Sequence, residues 1–515
     1  MDSGLRPLVG GPVTPQDRRI RLVLFLIWLA LVSWFLSRHV LWRDEVRAFS
    51  LALSGSNLVE MFRSVHGEGH PLLWYLILRG AHAIFPYREV LPVAGAVIGI
   101  AAMAVLTFFA PFRTVVVALI LFSFYGAFEY VVIARNYGIS ALVMFTLAAL
   151  YPRVRSNLWF GFILLILCNT NVPSCILAAG FLLFRFVEML TAEARPSRRD
   201  VLVFVGNAAL AALGAYLCFR TVYPTFNDAA VSRNLSDLSL ANVGRALIDS
   251  EWGFSHLAFG AEVPLPLNAI LLAISCLGFI RRPAALAAGL VTLLVLKLFF
   301  YFVYFSYYRH EALYLIFLIS LYWMVAQGAG GRWRHLHWQD WVQFIGTAVF
   351  TALLVAQSSR LLAPIHVEVT HYRFSRSADV GSLLKRPELS RAIVMGDPDT
   401  MLEPIVYYAD NPIWFLRQQR FGNVVRLAKN DRHLLSMADV LSDAEQLHRR
   451  TGRPIVFLSH LRLQDKRVEK SRVMFGDETI LRPDEVRLFW SSTRLIARLR
   501  PVASDEEYDV YVYPR

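Results

Sequence analysis

Between Leu22 and Gln357 the apolar residues of this chain fall in blocks of roughly 15–22 residues, the length that crosses a hydrocarbon core of about 30 Å. In lipid each backbone N–H and C=O must be satisfied within its own segment, so blocks of this length fold as helices. Flanking charge orients them, because Lys and Arg stay on the inner side. Taking 21–37 as a first span running outward places Arg113, Arg153 with Arg155, Arg195 with Arg198 and Arg199, Arg281 with Arg282, and Arg332 with Arg334 inside. Further spans then fall at 90–110, 115–132, 137–151, 157–171, 173–188, 201–219, 264–280, 284–303, 311–326 and 342–358, about eleven in all. The segment Pro71–Phe85 is apolar but short and carries Arg79 and His82. It reads as an interfacial helix on the outer face.

The expected layout is an inner tail over 1–20, flexible up to residue 17, and a transmembrane domain over 21–360. That domain has long outer loops at 38–89 and 220–263 and short ones at 133–136, 172 and 304–310. From 361 to 515 the pattern is that of an α/β domain outside the membrane. Ala392–Gly396 and Pro454–Leu458 read as buried strands, and 403–409 and 438–450 as helices. Residues 495–499 and 508–513 read as a hairpin. Gly396-Asp397-Pro398-Asp399 has neither the glycine spacing nor the Lys of a phosphate loop.

Composition excludes other classes. The chain is 56% hydrophobic, against about 45–50% in soluble domains. Its net charge of +13 comes largely from arginines beside the spans, so it is not the footprint of a nucleic-acid binder. Cys168, Cys175, Cys218 and Cys276 lie in or beside apolar blocks without metal-site spacing, and read as packing residues. Arg18, Arg19 and Arg21 precede a first span that no small-residue cleavage site follows, which marks an uncleaved span.

Four polar groups fall at the outer membrane edge, where ionisable side chains are costly and usually functional. Asp44-Glu45 follows the first span; a carboxylate here suits a general base or a divalent-cation ligand, or simply a partner for Arg43 or Arg47. Glu68-Gly69-His70-Pro71 suits contact with a metal or phosphate, or a cap on the helix that follows. Arg135, in Ala134-Arg135-Asn136-Tyr137, runs against the positive-inside bias; phosphate fits its fork of donors, and Glu129 is the alternative partner. Arg309-His310 precedes a late span and also suits phosphate, or a surface pair with Glu311. Carboxylates and arginines around one outer cavity are what a transferase needs when its donor is a lipid phosphate.

These residues resemble the GT-C superfamily of polytopic glycosyltransferases. The resemblance is to the branch of bacterial protein O-mannosyltransferases and the lipid A aminoarabinose transferase. Members carry Asp-Glu after the first span, then a Pro-Pro-Leu-x-Tyr-type helix, here His70-Pro71-Leu72-Leu73-Trp74-Tyr75, and an Ala-Arg-x-Tyr turn, here Ala134–Tyr137. The late Arg-Tyr start corresponds to Arg309-His310, with His for Tyr. The resemblance covers 20–150 and, more loosely, 300–325. It implies a GT-C-like fold in a bacterial inner membrane with a periplasmic C-terminal domain. It also implies inverting transfer from a polyprenyl-phosphate-linked sugar to a lipid, glycan or protein acceptor. Asp44 would be the base, Arg135 and Arg309 with His310 would bind donor phosphate, and Glu45, Glu68, His70 and Tyr137 would support the site. A Mg or Mn ion is an open possibility that no Asp-x-Asp motif near the first loop supports. The competing readings are a lipid or solute transporter, which should show mid-membrane charges and repeated halves with broken helices, and a scaffold with an external partner-binding domain.

Overall fold

The computed structural model describes residues 8, 13–224, 239–249, 253–258, 266–331, 333, 336–370, 372–426, 428–461, 463, 471–474 and 477–515. The first span is helix α1 (Pro15–Arg38). Three helices then cross the expected outer loop: α2 (Arg43–Ala52), α3 (Leu58–Val65) and α4 (Leu73–Ile84). The bundle continues with α5 (Val90–Phe109), α6 (Thr114–Leu121) with a π-helical turn at Tyr125–Glu129, α7 (Tyr137–Val154), α8 (Trp159–Cys168), α9 (Val172–Leu190) and α10 (Arg198–Val222). After α11 (Leu240–Ile248) come α12 (Leu267–Cys276), α13 (Pro283–Phe302), α14 (Tyr308–Ala326) and α15 (Trp338–Arg360). Each expected span therefore carries helix. Seven of the described helices are long and apolar enough to cross a membrane, and the chain is a multi-pass membrane protein. α14 is different: every residue from His310 to Val325 is buried, so it is the central helix around which the others pack.

Two expectations shift. The first helix begins inside the expected 1–20 tail, because Thr14 Oγ1 accepts the Asp17 N–H at 3.1 Å and the Asp17 carboxylate accepts the Thr14 N–H at 3.0 Å. With Pro15 in the first turn this is a complete capping box. Leu8 is buried, and its carbonyl accepts the Arg113 N–H at 2.9 Å. The expected 220–263 loop holds α11, while 225–238, 250–252 and 259–265 lie outside the described residues.

Small residues set the closest helix approach. A Cβ on Gly346 of α15 would stand 2.1 Å from the backbone nitrogen of Gly278, in the 3-10 turn that extends α12. Neither backbone can yield cheaply, the usual reason for glycine at membrane-helix seams. G346A should therefore lower stability by about 1–3 kcal/mol. Thermal melts in detergent should show this as a lower Tm.

The last part of the chain begins with α16 (Leu362–Val369) and α17 (Ser377–Leu384). Its strands are β1 (Ile393–Asp397), β2 (Trp414–Phe415), β3 (Arg420–Phe421), β4 (Leu434–Ser436), β5 (Ile455–Ser459), β6 (Ser471–Met474), β7 (Asp477–Ile480), β8 (Arg494–Leu499) and β9 (Tyr508–Tyr513). Helices α18 (Ile405–Tyr408), α19 (Met437–Thr451) and α20 (Pro483–Ser492) lie between them. The main sheet runs β1-β5-β9-β8, with β1 and β5 parallel and the β8–β9 hairpin antiparallel. Alternate strand residues point to opposite faces. Val394, Val456 and Val510 pack with Val380 and Ile405, whereas Ile393, Ile455 and Phe457 pack with Val440, Leu447 and Phe489. Helices thus cover both faces, as an α/β domain requires. The two expected strands are present, each starting and ending one residue later.

Candidate active site

The segment from Arg38 to Arg47 joins α1 to α2 and carries the first acidic pair. The two carboxylates do different things. Glu45 is fully buried. One of its oxygens accepts the Ala134 N–H at 2.6 Å, and the other meets the Trp42 N–H at 3.2 Å and His39 Nε2 at 2.9 Å. It thereby caps α2 and ties the loop before α7, which carries Arg135, to that helix end. A buried carboxylate with this many donors is a fixed structural bracket.

Asp44 turns the other way, with its side chain 30% exposed. Its Oδ2 accepts from Nη1 of Arg135, and from Nη1 of Arg309 at 3.2 Å. Burial opposes its ionisation, but Arg135, Arg309 and Arg43 outweigh that and hold the carboxyl well below the usual carboxylate range. The second Arg135 terminus, Nη2, lies 2.8 Å from His70 Nε2. Burial, then Arg135, push His70 down to about 3, so its ring is neutral. Nε2 therefore accepts, the proton sits on Nδ1, and that atom is buried without a partner. Gly67 and Gly69 before it adopt φ +86° and +79°, backbone open mainly to glycine. Arg309 is flanked by the rings of Trp42 and Tyr307, each 5.4 Å from its guanidinium carbon. Arg135 lies 5.6 Å over Tyr137.

Four chain segments, around 44, 70, 135 and 309, thus meet at one end of the bundle. Other residues expected at the site sit further back. His310 is buried, with Nε2 2.8 Å from the Tyr137 hydroxyl and Nδ1 accepting the Tyr307 N–H at 3.0 Å. Both its nitrogens face protein, so it braces Tyr137 and caps α14 rather than reaching a phosphate. Arg135 pairs with Asp44 and His70, not with the alternative partner Glu129. Glu311 accepts from the Ser255 and His256 N–H groups, both at 2.9 Å, and not from Arg309. Glu68 accepts from Arg47 Nη2 at 2.6 Å. A divalent cation does not fit this arrangement, because the Asp44 carboxylate and the His70 nitrogen both face guanidinium. Among the described residues no cluster of three or more His, Cys, Asp or Glu side chains is fit to hold a metal.

The C-terminal domain closes over the same segment through Glu403, Asp505 and Glu506, which the sequence did not single out. Arg43 forks onto Asp505 at 2.9 and 2.8 Å, and its N–H donates to Glu506 at 2.8 Å. One turn later, Arg47 joins Glu68 to Glu403 and donates to the Val425 carbonyl at 2.8 Å. Such bidentate arginine pairs fix orientation as well as contact. The signal lay in the i, i+4 spacing of Arg43 and Arg47, which puts both on one helix face.

Burial makes several carboxyls of this domain reluctant acids. Glu403 is pushed up to about 7, with Arg47 offsetting part of the shift, and Asp399 and Glu506 are each pushed up to about 8. Such a group keeps a proton in the fold that the unfolded chain has already lost, so its contribution to stability falls as pH rises from about 4.5 to 8. Asp44 is shifted the other way: its contribution is fully present throughout that window and is lost only as pH falls below about 3.8. Melts of the purified protein should give a Tm lower at pH 8 than at pH 5, with a shallower slope in E506Q.

No family model matches the chain, and no curated protein matches it. Among solved structures, it matches the crystal structure of ArnT from Cupriavidus metallidurans bound to undecaprenyl phosphate. The match covers 95% of this chain and 97% of that one, at 13% identity and a TM-score of 0.49. At this identity the likeness is one of chain layout and assigns no residue a role.

Proposed function

We propose that this protein is a membrane glycosyltransferase that moves a sugar from a polyprenyl-phosphate-linked donor to a lipid, glycan or protein acceptor. The observation that carries the reading is the meeting of Asp44 with Arg135 and Arg309 at the bundle end beneath the C-terminal domain. Two guanidiniums in a partly enclosed site suit a phosphate that gains charge as it leaves. In the reaction the acceptor hydroxyl oxygen bonds to the anomeric carbon as the bond from that carbon to the donor phosphate breaks. The hydroxyl proton passes to Asp44, and the electron pair leaves with a polyprenyl phosphate held by Arg135 and Arg309. Attack opposite the leaving phosphate inverts the anomeric centre. Neutral His70 and Tyr137 shape the arginine side of the site, and Glu45 holds the Arg135 loop in place.

This bundle end is the outer face of the inner membrane under the flanking-charge topology, which makes the C-terminal domain periplasmic and suits it to acceptor selection. The transporter reading is less favoured because the ionisable residues of this cluster lie at one end of the bundle, not at mid-membrane. The test is a turnover assay with purified protein and a polyprenyl-phosphate sugar. Release of polyprenyl phosphate with glycosylation of an acceptor supports the proposal. Solute movement across liposomes with the donor untouched would favour the transporter.

A further inference from the structure

In a transferase that works as proposed, the Asp44–arginine cluster poses a chemical difficulty. A carboxylate that shares one oxygen between two guanidiniums is a weak base, and arginines so paired are not free for phosphate. Both termini of Arg135 are occupied, Nη1 by Asp44 and Nη2 by His70. Arg309 directs its Nη1 to the same Asp44 oxygen. Each guanidinium is held in place by something other than Asp44. Arg309 is flanked by Trp42 and Tyr307, and Arg135 lies over Tyr137 in a loop tied by Glu45. Asp44 is the most exposed of the three, its side chain 30% exposed against 10% for Arg135 and 15% for Arg309. The arginines are therefore a preformed anion site, and the carboxylate is the removable part.

Building on the transferase reading, we propose that Asp44 occupies the donor-phosphate site of the free protein, and that the incoming phosphate displaces it from Arg135 and Arg309, releasing the carboxylate to act as base only when donor is bound. The exchange swaps one anion for another on the same two cations, so both guanidiniums stay paired throughout. It also makes the reaction ordered. Without donor, Asp44 is too tightly paired to deprotonate an acceptor, which guards against a free base beside an empty site. With donor, a rotation of one short side chain frees it.

Removing the Asp44 charge should then act opposite in sign to removing a carboxylate that contacts the ligand. The apparent affinity of a site available only part of the time is reduced by that fraction. If Asp44 holds the arginines for all but about a tenth of the time, D44N should bind polyprenyl phosphate about tenfold more tightly than wild type. The experiment titrates undecaprenyl phosphate into full-length wild type and D44N in detergent by calorimetry. Beside it, carbodiimide labelling of Asp44 in wild type is read by mass spectrometry with and without that lipid. Tighter binding by D44N, with labelling of wild-type Asp44 that rises several-fold on adding the lipid, is expected. Equal or weaker binding by D44N, or labelling that does not change, would overturn the exchange while leaving the transferase reading intact. Failure of wild type to bind the lipid at all would overturn both.

Discussion

Asp44→Asn is expected to cut sugar transfer by about 10²–10⁴-fold, the usual contribution of a positioned general base. Asn keeps the shape and one oxygen for Arg309 and Arg135, and the side chain is partly exposed, so the fold should survive with little change in Tm. The loss should fall on kcat, because the donor still binds. In steady-state assays, D44N with kcat near wild type would remove Asp44 from the base role. Glu45→Gln serves as the contrast. It weakens a buried bracket to Ala134 and His39, so its effect should include a lower Tm as well as slower transfer.

Arg135→Gln is the second large effect. Removing one group aimed at developing charge typically costs about 10²–10³-fold in kcat. In the proposed reaction the charge develops on the departing phosphate, which would make Arg135 important to the transition state as well as to binding. Arg135→Lys should recover only a small part, because an ammonium cannot serve Asp44 and His70 at once as the two guanidinium termini do. Transfer kinetics of the two variants, measured at saturating donor, check this. Equal and full activity of both would mean that the donor phosphate sits elsewhere.

Much of the membrane domain was legible because hydrocarbon forces helix, and block length with flanking arginine then gives the spans. The site was legible in part for the same reason: charge at a membrane edge is conspicuous. Asp44, Arg135 and Arg309 stood out in this way. The membrane-edge pattern alone did not separate roles within a motif; the family resemblance gave Asp44 as the base and Glu45 as support. Asp44 and Glu45 are adjacent, yet a helix start points them about 100° apart, so one faces the arginines and the other the loop before α7. His310 looked like a phosphate ligand because of its neighbour, but its position in the first turn of α14 turns it inward to Tyr137. Contacts made by long-range docking left almost no local trace. No local pattern marks Glu403, Asp505 or Glu506, and only the fold brings them to Arg43 and Arg47. The helices α2 and α3 were missed because short amphipathic stretches between spans resemble a polar loop when read by hydropathy alone.

The central claim is that Arg135 and Arg309 hold the phosphate of a lipid-linked sugar donor. A density map of the protein with undecaprenyl phosphate bound tests it most directly. The head group should lie within hydrogen-bond reach of both guanidiniums, with the Asp44 carboxylate turned away from them. A head group at the opposite end of the bundle, or one that leaves the Asp44–Arg135–Arg309 contacts intact, would contradict the claim.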